Sequence, residues 1–328
     1  MLNRNISILF ISAFQAPFVQ DDIDVLSKHF VVRKCIGSGI LQVIRIILSA
    51  FQSDVIFCWF ASVYSSVAVA VGKFVGIKAI IVVGGVDVAK EKELGYGIWL
   101  SPWKARLLRY AFHHAHRILV VDPSLKEEAM ERANYDGANI RYLPTTYDSF
   151  FWKPVGIKEP VVLTVAVADD EKRIRLKGID TLLEAARRLP YTQFIVIGVD
   201  PNLTRTLQLP ANVNVQSRVE RKQLLPYYRQ AKVFCQPSLR EGLPNTLCEA
   251  MLCGCIPVAT RVGGNPTAVG DSGVLVPPSN AGALAEGIRQ ALAMPEEAGA
   301  KARARIVALF PKEKRERELV RLVEELAQ

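Results

Sequence analysis

Pro237-Ser238-Leu239-Arg240-Glu241-Gly242-Leu243-Pro244-Asn245-Thr246-Leu247-Cys248-Glu249-Ala250 follows a β-rich run, Val233 to Gln236, and leads on to Gly254 to Val258 and then Gly263-Gly264. The strand delivers a loop containing Gly242, and Pro244 suits the first turn of a helix. The residues that open this helix, Asn245, Thr246 and Leu247, carry backbone N–H groups with no intrahelical acceptor. A helix start of this kind takes an anion, typically a phosphate. Glu241 stands just ahead of the helix, and Glu249 lies one turn beyond Asn245. Acidic groups beside a phosphate make sense when they hold hydroxyls: a carboxylate accepts two hydrogen bonds at once and so fits the vicinal diol of a ribose. Either carboxylate alone reads as an ordinary surface charge, so the reading rests on the pair with its flanks.

Outward from this stretch, short β-rich runs alternate with helical segments along the chain, the pattern of parallel sheets with helices on both faces. The predicted strands of the first half are Ile6 to Ile11, Val31 to Ile36, Val55 to Phe60, Ala79 to Val83, Ile118 to Val121 and Ile140 to Leu143. Those of the second half are Val161 to Val167, Gln193 to Ile197, Val213 to Gln216, Val233 to Gln236, Ile256 to Ala259 and Gly273 to Val276. The fold class is therefore α/β with two Rossmann-like domains, over 1–150 and 151–310. Residues 311–328 are expected as a C-terminal helix packing back toward the N-terminal domain. The aperiodic stretch Thr145 to Pro160, with Pro154, Gly156 and Pro160, is the expected linker.

Composition agrees with a globular enzyme. Of the 328 residues 50% are hydrophobic and 22% charged, enough for two cores without disulfides or a metal. The six cysteines sit mostly within apolar runs and read as free thiols in a reducing cytoplasm. Cys253 and Cys255, one glycine apart, have poor spacing for zinc, so no metal site is expected. The net charge of +9 favours anionic partners. Basic residues are spread along the chain, and the densest run, Lys312 to Arg321, is interleaved with glutamates as on a solvated helix face. Nucleic acid is not an expected partner. Ile6 to Phe14 after Arg4 imitates a signal-peptide core but reads better as a buried first strand. The uncharged run between Asp54 and Lys73 reads as a strand followed by a helix, not as a membrane span.

The first half has no complete dinucleotide fingerprint, since Gly37-Ser38-Gly39 lacks its third glycine. Gly84 and Gly85, after the fourth strand, let a backbone approach a ligand closely, or simply make a tight turn.

Glu241 and Glu249 are separated by seven residues, and the blocks Lys177-Gly178-Ile179-Asp180, Gly263-Gly264-Asn265-Pro266 and Gly273 to Pro277 accompany them in order. On these motifs the chain resembles the family-4 retaining glycosyltransferases of the GT-B fold. The resemblance implies two Rossmann-like domains facing a cleft. It also implies a nucleotide-diphosphate sugar as donor, transfer with retention and no obligatory metal or other cofactor. It passes donor-sugar contact to Glu241, ribose contact to Glu249 and diphosphate binding to Lys177. Where the family has an arginine after a glycine, this chain reads Ala166-Val167; Arg173 or Arg175 can stand in, and Arg173 is put forward. Thr267 stands where the family has glutamate, and Gly84-Gly85-Val86-Asp87 replaces its His-Gly-Thr-Asp. Asp87 is then the acceptor-side candidate, and domain closure the expected means of excluding water.

The acceptor is unidentified, with a lipid-linked one among the options. Trp99, Trp103, Lys104, Arg106, Arg109, His113, His114, His116 and Arg117 form a basic, aromatic stretch that either meets an anionic inner membrane face or packs as an amphipathic helix with Leu107, Leu108, Ala111 and Phe112 inside. A cytoplasmic protein, peripheral at the membrane in the first case, is expected. The alternatives are a sugar-nucleotide epimerase of the same fold and a non-catalytic nucleotide-sugar binding protein.

Overall fold

The computed structural model describes residues 6–328, so Arg4 of the signal-like run lies outside the described residues. Its elements run β1 (Ser7–Ser12), α1 (Pro17–Ser27), β2 (Val31–Ile36), α2 (Ile40–Ala50), β3 (Val55–Trp59), α3 (Val63–Val75), β4 (Lys78–Val83), α4 (Pro102–His114), β5 (Arg117–Val120), α5 (Ser124–Ala133) and β6 (Ile140–Tyr142). They continue β7 (Glu159–Ala168), α6 (Glu171–Leu176), α7 (Ile179–Arg187), β8 (Gln193–Val199), α8 (Pro201–Thr206), β9 (Val213–Gln216), α9 (Leu225–Gln230), β10 (Ala231–Gln236), α10 (Asn245–Leu252), β11 (Ile256–Thr260), α11 (Asn265–Val269), β12 (Val274–Val276), α12 (Ala281–Ala293), α13 (Glu297–Leu309) and α14 (Lys312–Ala327). Each apolar run read as a strand is a strand. The chain divides into two units: one ends at Thr145 and resumes over Lys312–Gln328, the other is Thr146–Pro311.

The first unit holds a parallel sheet in the order β2-β1-β3-β4-β5-β6. Parallel strands covered on both faces read as unbroken apolar runs, and β3 is buried along its whole length. The helices α2, α3, α4 and α5 pack in succession on one face, while α1 packs with α14, as right-handed crossovers require. The uncharged run after Asp54 is β3 followed by α3, which Ser62 caps by accepting the Ser65 N–H and Gly76 ends in a left-handed turn. Among the described residues no helix is long and apolar enough to cross a membrane.

In α14 the structure corrects the reading of Lys312 to Arg321 as a wholly solvated face. Arg315 is 3% exposed. Its Nε and Nη2 donate to the two oxygens of buried Asp22, at 2.6 and 2.7 Å, and its Nη1 donates to the Leu143 and Pro144 carbonyls. Trp59 adds its indole N–H to Asp22 at 2.7 Å. The charge is buried because every partner it needs is present.

The second unit holds a parallel sheet in the order β12-β11-β10-β7-β8-β9. Its first strand, β7, is flanked by β8 on one side and β10 on the other, so strand order reverses between β7 and β10. Ligands of open α/β sheets bind at the carboxyl ends of strands at such a point. In the first unit the reversal falls between β1 and β3.

The boundary between the two units falls at Thr145 and Thr146, at the start of the stretch read as a linker, and the rest of that stretch packs within the second unit. Tyr147 and Trp152 are each 3% exposed, and Arg303 donates to the Ser149 and Trp152 carbonyls. The aromatic side chains within it gave it something to bury despite its prolines.

Candidate functional site

Three loops meet at the carboxyl edge of the second sheet: those after β7, β10 and β11. Backbone bonds stitch them, Leu239 N–H to Leu176 O at 2.8 Å and Gly264 N–H to Gly242 O at 2.9 Å. Gly178 and Gly263 sit at positive φ, where a Cβ would overlap the carbonyls of Pro237 and Glu241 respectively. Glycine is required there by both conformation and space. Inside the stitch, Thr260 Oγ1 donates to the Ser238 carbonyl, and Asn265 Nδ2 donates to the Thr260 carbonyl at 2.9 Å.

These loops bring Lys177 and Glu241 together. Lys177 Nζ donates to Glu241 Oε1 at 2.6 Å, with the two side chains 23% and 12% exposed. Buried Gln236 donates its amide to the same Glu241 oxygen at 2.8 Å and to Ser238 Oγ at 2.9 Å. The helix α10 begins at Asn245, with Pro244 one residue earlier than the first-turn place read for it; Pro244 is the N-cap and offers no side-chain acceptor. Asn245 accepts the Tyr147 hydroxyl at 2.9 Å, Thr246 is half-buried with its hydroxyl toward Val165 O and Gln236 Oε1, 3.5 Å from each, and Leu247 is buried.

Glu249 was expected at an accessible surface, and the structure corrects this: it is 1% exposed. Its Oε1 accepts Arg221 Nε at 2.6 Å and its Oε2 the Tyr228 hydroxyl at 3.3 Å. Burial first, and then the Glu249 charge, hold the Tyr228 phenol well above its usual range, so it stays a donor. Arg221 also lies over the Trp152 ring, 5.8 Å from its centre. Arg221, Tyr228 and Trp152 escaped the sequence reading. One signal was available: Glu249 has Leu247, Cys248, Ala250, Met251 and Leu252 around it, and an acid in such a run needs a partner.

Arg173 lies one helical turn before Lys177, whose N–H donates to its carbonyl at 2.9 Å, but its side chain turns elsewhere. It is exposed and pairs with Asp169 at 3.0 Å, because α6 turns its charged side outward and buries Ile174 and Leu176.

In the first unit Asp87 is 1% exposed, so the structure corrects its reading as a group that meets an acceptor. Its carboxylate accepts the N–H groups of Ala61 and Gly84 on one oxygen, at 3.2 and 3.1 Å, and that of Gly85 on the other, at 2.7 Å. Burial pushes its pKa up to about 6, against the pull of these bonds. The Gly84 and Gly85 N–H groups are thus taken up by Asp87, and a ligand does not find them waiting. The pair fastens the loops after β3 and β4. Beside them Phe60 adopts a positive φ of 70°, a conformation a bulky residue holds only where its surroundings enforce it. Half-exposed Phe14 stacks on buried Phe60 with ring centres 4.9 Å apart, which holds the Phe14 ring at the surface by the β1/β3 reversal.

The basic, aromatic stretch resolves as α4 with Leu108, Ala111 and Phe112 buried. Leu107, read as an inside position, is 36% exposed because the helix phase turns it outward, and Trp99, ahead of α4, is buried and bonds the Asp87 carbonyl at 2.7 Å. His113 and His114 each meet a backbone carbonyl, and His116 accepts the Ala79 N–H. Among the described residues no cluster of three or more His, Cys, Asp or Glu could hold a metal ion.

Residues 153–307 match the family model "Glycosyl transferases group 1". Among curated proteins the chain is 26% identical over 200 residues to a phosphatidylinositol N-acetylglucosaminyltransferase subunit of Arabidopsis thaliana, in a match covering 58% of this chain and 44% of that one. The chain thus spans less than half the length of this curated relative. Among solved structures, the sucrose-phosphate synthase of Thermosynechococcus elongatus superposes with a TM-score of 0.80 at 20% identity, over 98% of this chain and 99% of that one. The Anabaena protein HepE in complex with UDP gives 0.77 at 15% identity, over 98% and 100%. Both sheets follow the GT-B arrangement, and residues 153–307 are similar to the glycosyl transferases group 1 domain.

Proposed function

We propose that this chain is a glycosyltransferase, its unit Thr146–Pro311 binding a nucleoside-diphosphate sugar and its other unit the acceptor. One observation carries the reading: Lys177, Glu241 and the start of α10 share the strand-order reversal of the second sheet. In this account the diphosphate lies at the α10 start and draws Lys177 from Glu241, while Glu241, still held by Gln236, receives hydroxyls of the sugar. Charge grows on the diphosphate as the glycosidic bond to it breaks, and a fixed ammonium with first-turn N–H groups stabilises it most at that moment. Arg240, half-buried on the same loop, replaces Arg173 as the second cation. Glu249 holds the ribose by exchanging a partner for its diol. Retention of configuration without an obligatory metal follows from the resemblance in sequence. The exposed Phe14 ring, backed by buried Phe60, meets the acceptor, and Asp87 acts only by fixing the loops around it.

HepE binds UDP, and the Arabidopsis relative's name gives N-acetylglucosamine and phosphatidylinositol, so UDP-N-acetylglucosamine with phosphatidylinositol is the first pair to test. Six free, buried cysteines fit work in the reducing cytoplasm. Free UDP appearing together with a glycosylated acceptor supports transfer; an isomerised donor sugar would mean an epimerase. The sealing of Asp87 favours a second reading, nucleotide-sugar binding without transfer, which tight donor binding with no product from any acceptor would support.

A further inference from the structure

Helix α2 is built inside out. Its buried positions are Gln42, Ile46 and Ala50, and the Gln42 amide turns inward to the Cys35 carbonyl. On the solvent side stand Ile40, Leu41, Leu48 and Phe51, 72%, 68%, 62% and 62% exposed, with Ile44 between them. Phe74, at the end of the adjacent helix α3, is 86% exposed. A surface helix of a globular unit normally turns its apolar stripe to the core. A contiguous apolar face left outside marks an interaction surface.

Charge identifies the partner. From Val31 to Val86 the sequence carries five cations, Arg33, Lys34, Arg45, Lys73 and Lys78, against one carboxylate, Asp54, which accepts the Ser7 N–H at 2.9 Å. Arg33 and Lys34 lie exposed on β2, the edge strand that α2 packs against, Arg45 on α2 itself, and Lys73 beside Phe74. A second copy of the chain on this face would set these cations against themselves. An anionic bilayer instead receives aliphatic side chains below its headgroups and cations among them. We propose that the outward face of α2, with Phe74 beside it, docks on an anionic lipid surface. The proposal is independent of the donor-site reading.

The test is sedimentation of the full chain with vesicles of phosphatidylcholine plus phosphatidylglycerol, and with vesicles of phosphatidylcholine alone. Wild-type protein should sediment with the anionic vesicles, less so at high salt. Leu41→Asp combined with Leu48→Asp should weaken binding about tenfold or more, since it puts charges where acyl chains would lie. Both positions are exposed, so the melting temperature should hold; Arg33→Ala with Arg45→Ala should separately reduce the preference for anionic vesicles. Wild-type protein that stays in the supernatant overturns the proposal, as does a doubly substituted protein that sediments like the wild type. A wild-type dimer that the two aspartates dissolve would overturn it in favour of a second copy as occupant.

Discussion

Lys177 Nζ and Glu241 Oε1 lie 2.6 Å apart, although 64 residues separate them in the chain. The contact joins the α6–α7 turn to the loop after β10 at the strand-order reversal. It holds the lysine charge and the glutamate in one place; in the function proposed above, the donor diphosphate draws the lysine away.

Lys177→Ala should therefore lower kcat at saturating donor by about 10²–10³, the usual cost of losing one group aimed at developing charge. The pair is part-exposed, so stability should change by no more than about 1 kcal/mol. Steady-state kinetics alongside thermal melts separates the two effects. A folded Lys177→Ala protein that transfers sugar at the wild-type rate would refute the leaving-group role.

Glu249 has a double role in this account, and its burial changes what its replacement does. Glu249→Gln should weaken donor binding by about one to two orders of magnitude through lost charge-assisted bonds. It should also destabilise the fold by about 1–3 kcal/mol, because Arg221 loses its anion. Replacing Arg221 by Met in the same protein should restore much of the stability and none of the donor affinity. Recovery of both would assign Glu249 a structural role alone.

Arg315→Ala leaves Asp22 buried with the Trp59 indole as its remaining named side-chain donor. Denaturant unfolding should show a loss of about 3–5 kcal/mol, and Asp22→Asn in the Arg315→Ala background should recover part of it. A loss below about 1 kcal/mol would mean that water reaches Asp22.

The two sheets were legible because their strands are covered on both faces, so runs such as Val55 to Trp59 and Ile80 to Val83 are apolar throughout and need no context to interpret. The edge β2, with Arg33 and Lys34 exposed, was legible only through its β-branched start. What escaped depends on pairing at a distance. Glu249 is buried because Arg221 and Tyr228 reach it from another loop, and Asp87 is sealed by an N–H at Ala61, 26 residues away. Arg315 looked like one charge among many in an alternating helix, and only the position of Asp22 singles it out. The stacking of exposed Phe14 on buried Phe60 depends on the unusual backbone conformation of Phe60, which no local pattern encodes.

Asp87 sets a pH dependence of stability. Its carboxyl has a pKa of about 6 in the fold, above the ordinary 3.8, so between these values the native state keeps a proton that the unfolded chain releases. Its contribution should therefore favour folding below about pH 4 and fade as pH rises through 6, by up to about 3 kcal/mol. The difference in unfolding free energy between wild type and Asp87→Asn, followed from pH 4 to about pH 7, reads this directly. A difference that does not vary with pH would mean that the three N–H donors fully offset the burial.

A nucleoside diphosphate bound at the edge of the second sheet should be visible in a thermal-shift series with UDP, GDP and ADP against wild type and Lys177→Ala. Binding to the native state alone stabilises by about 2.7 kcal/mol at a hundred times Kd, which raises Tm by a few degrees in a chain of this size. At least one of the three should produce that rise in wild type and a clearly smaller one in Lys177→Ala. If none shifts the transition, or if the variant responds as strongly as the wild type, the donor site is not where Lys177 and Glu241 meet.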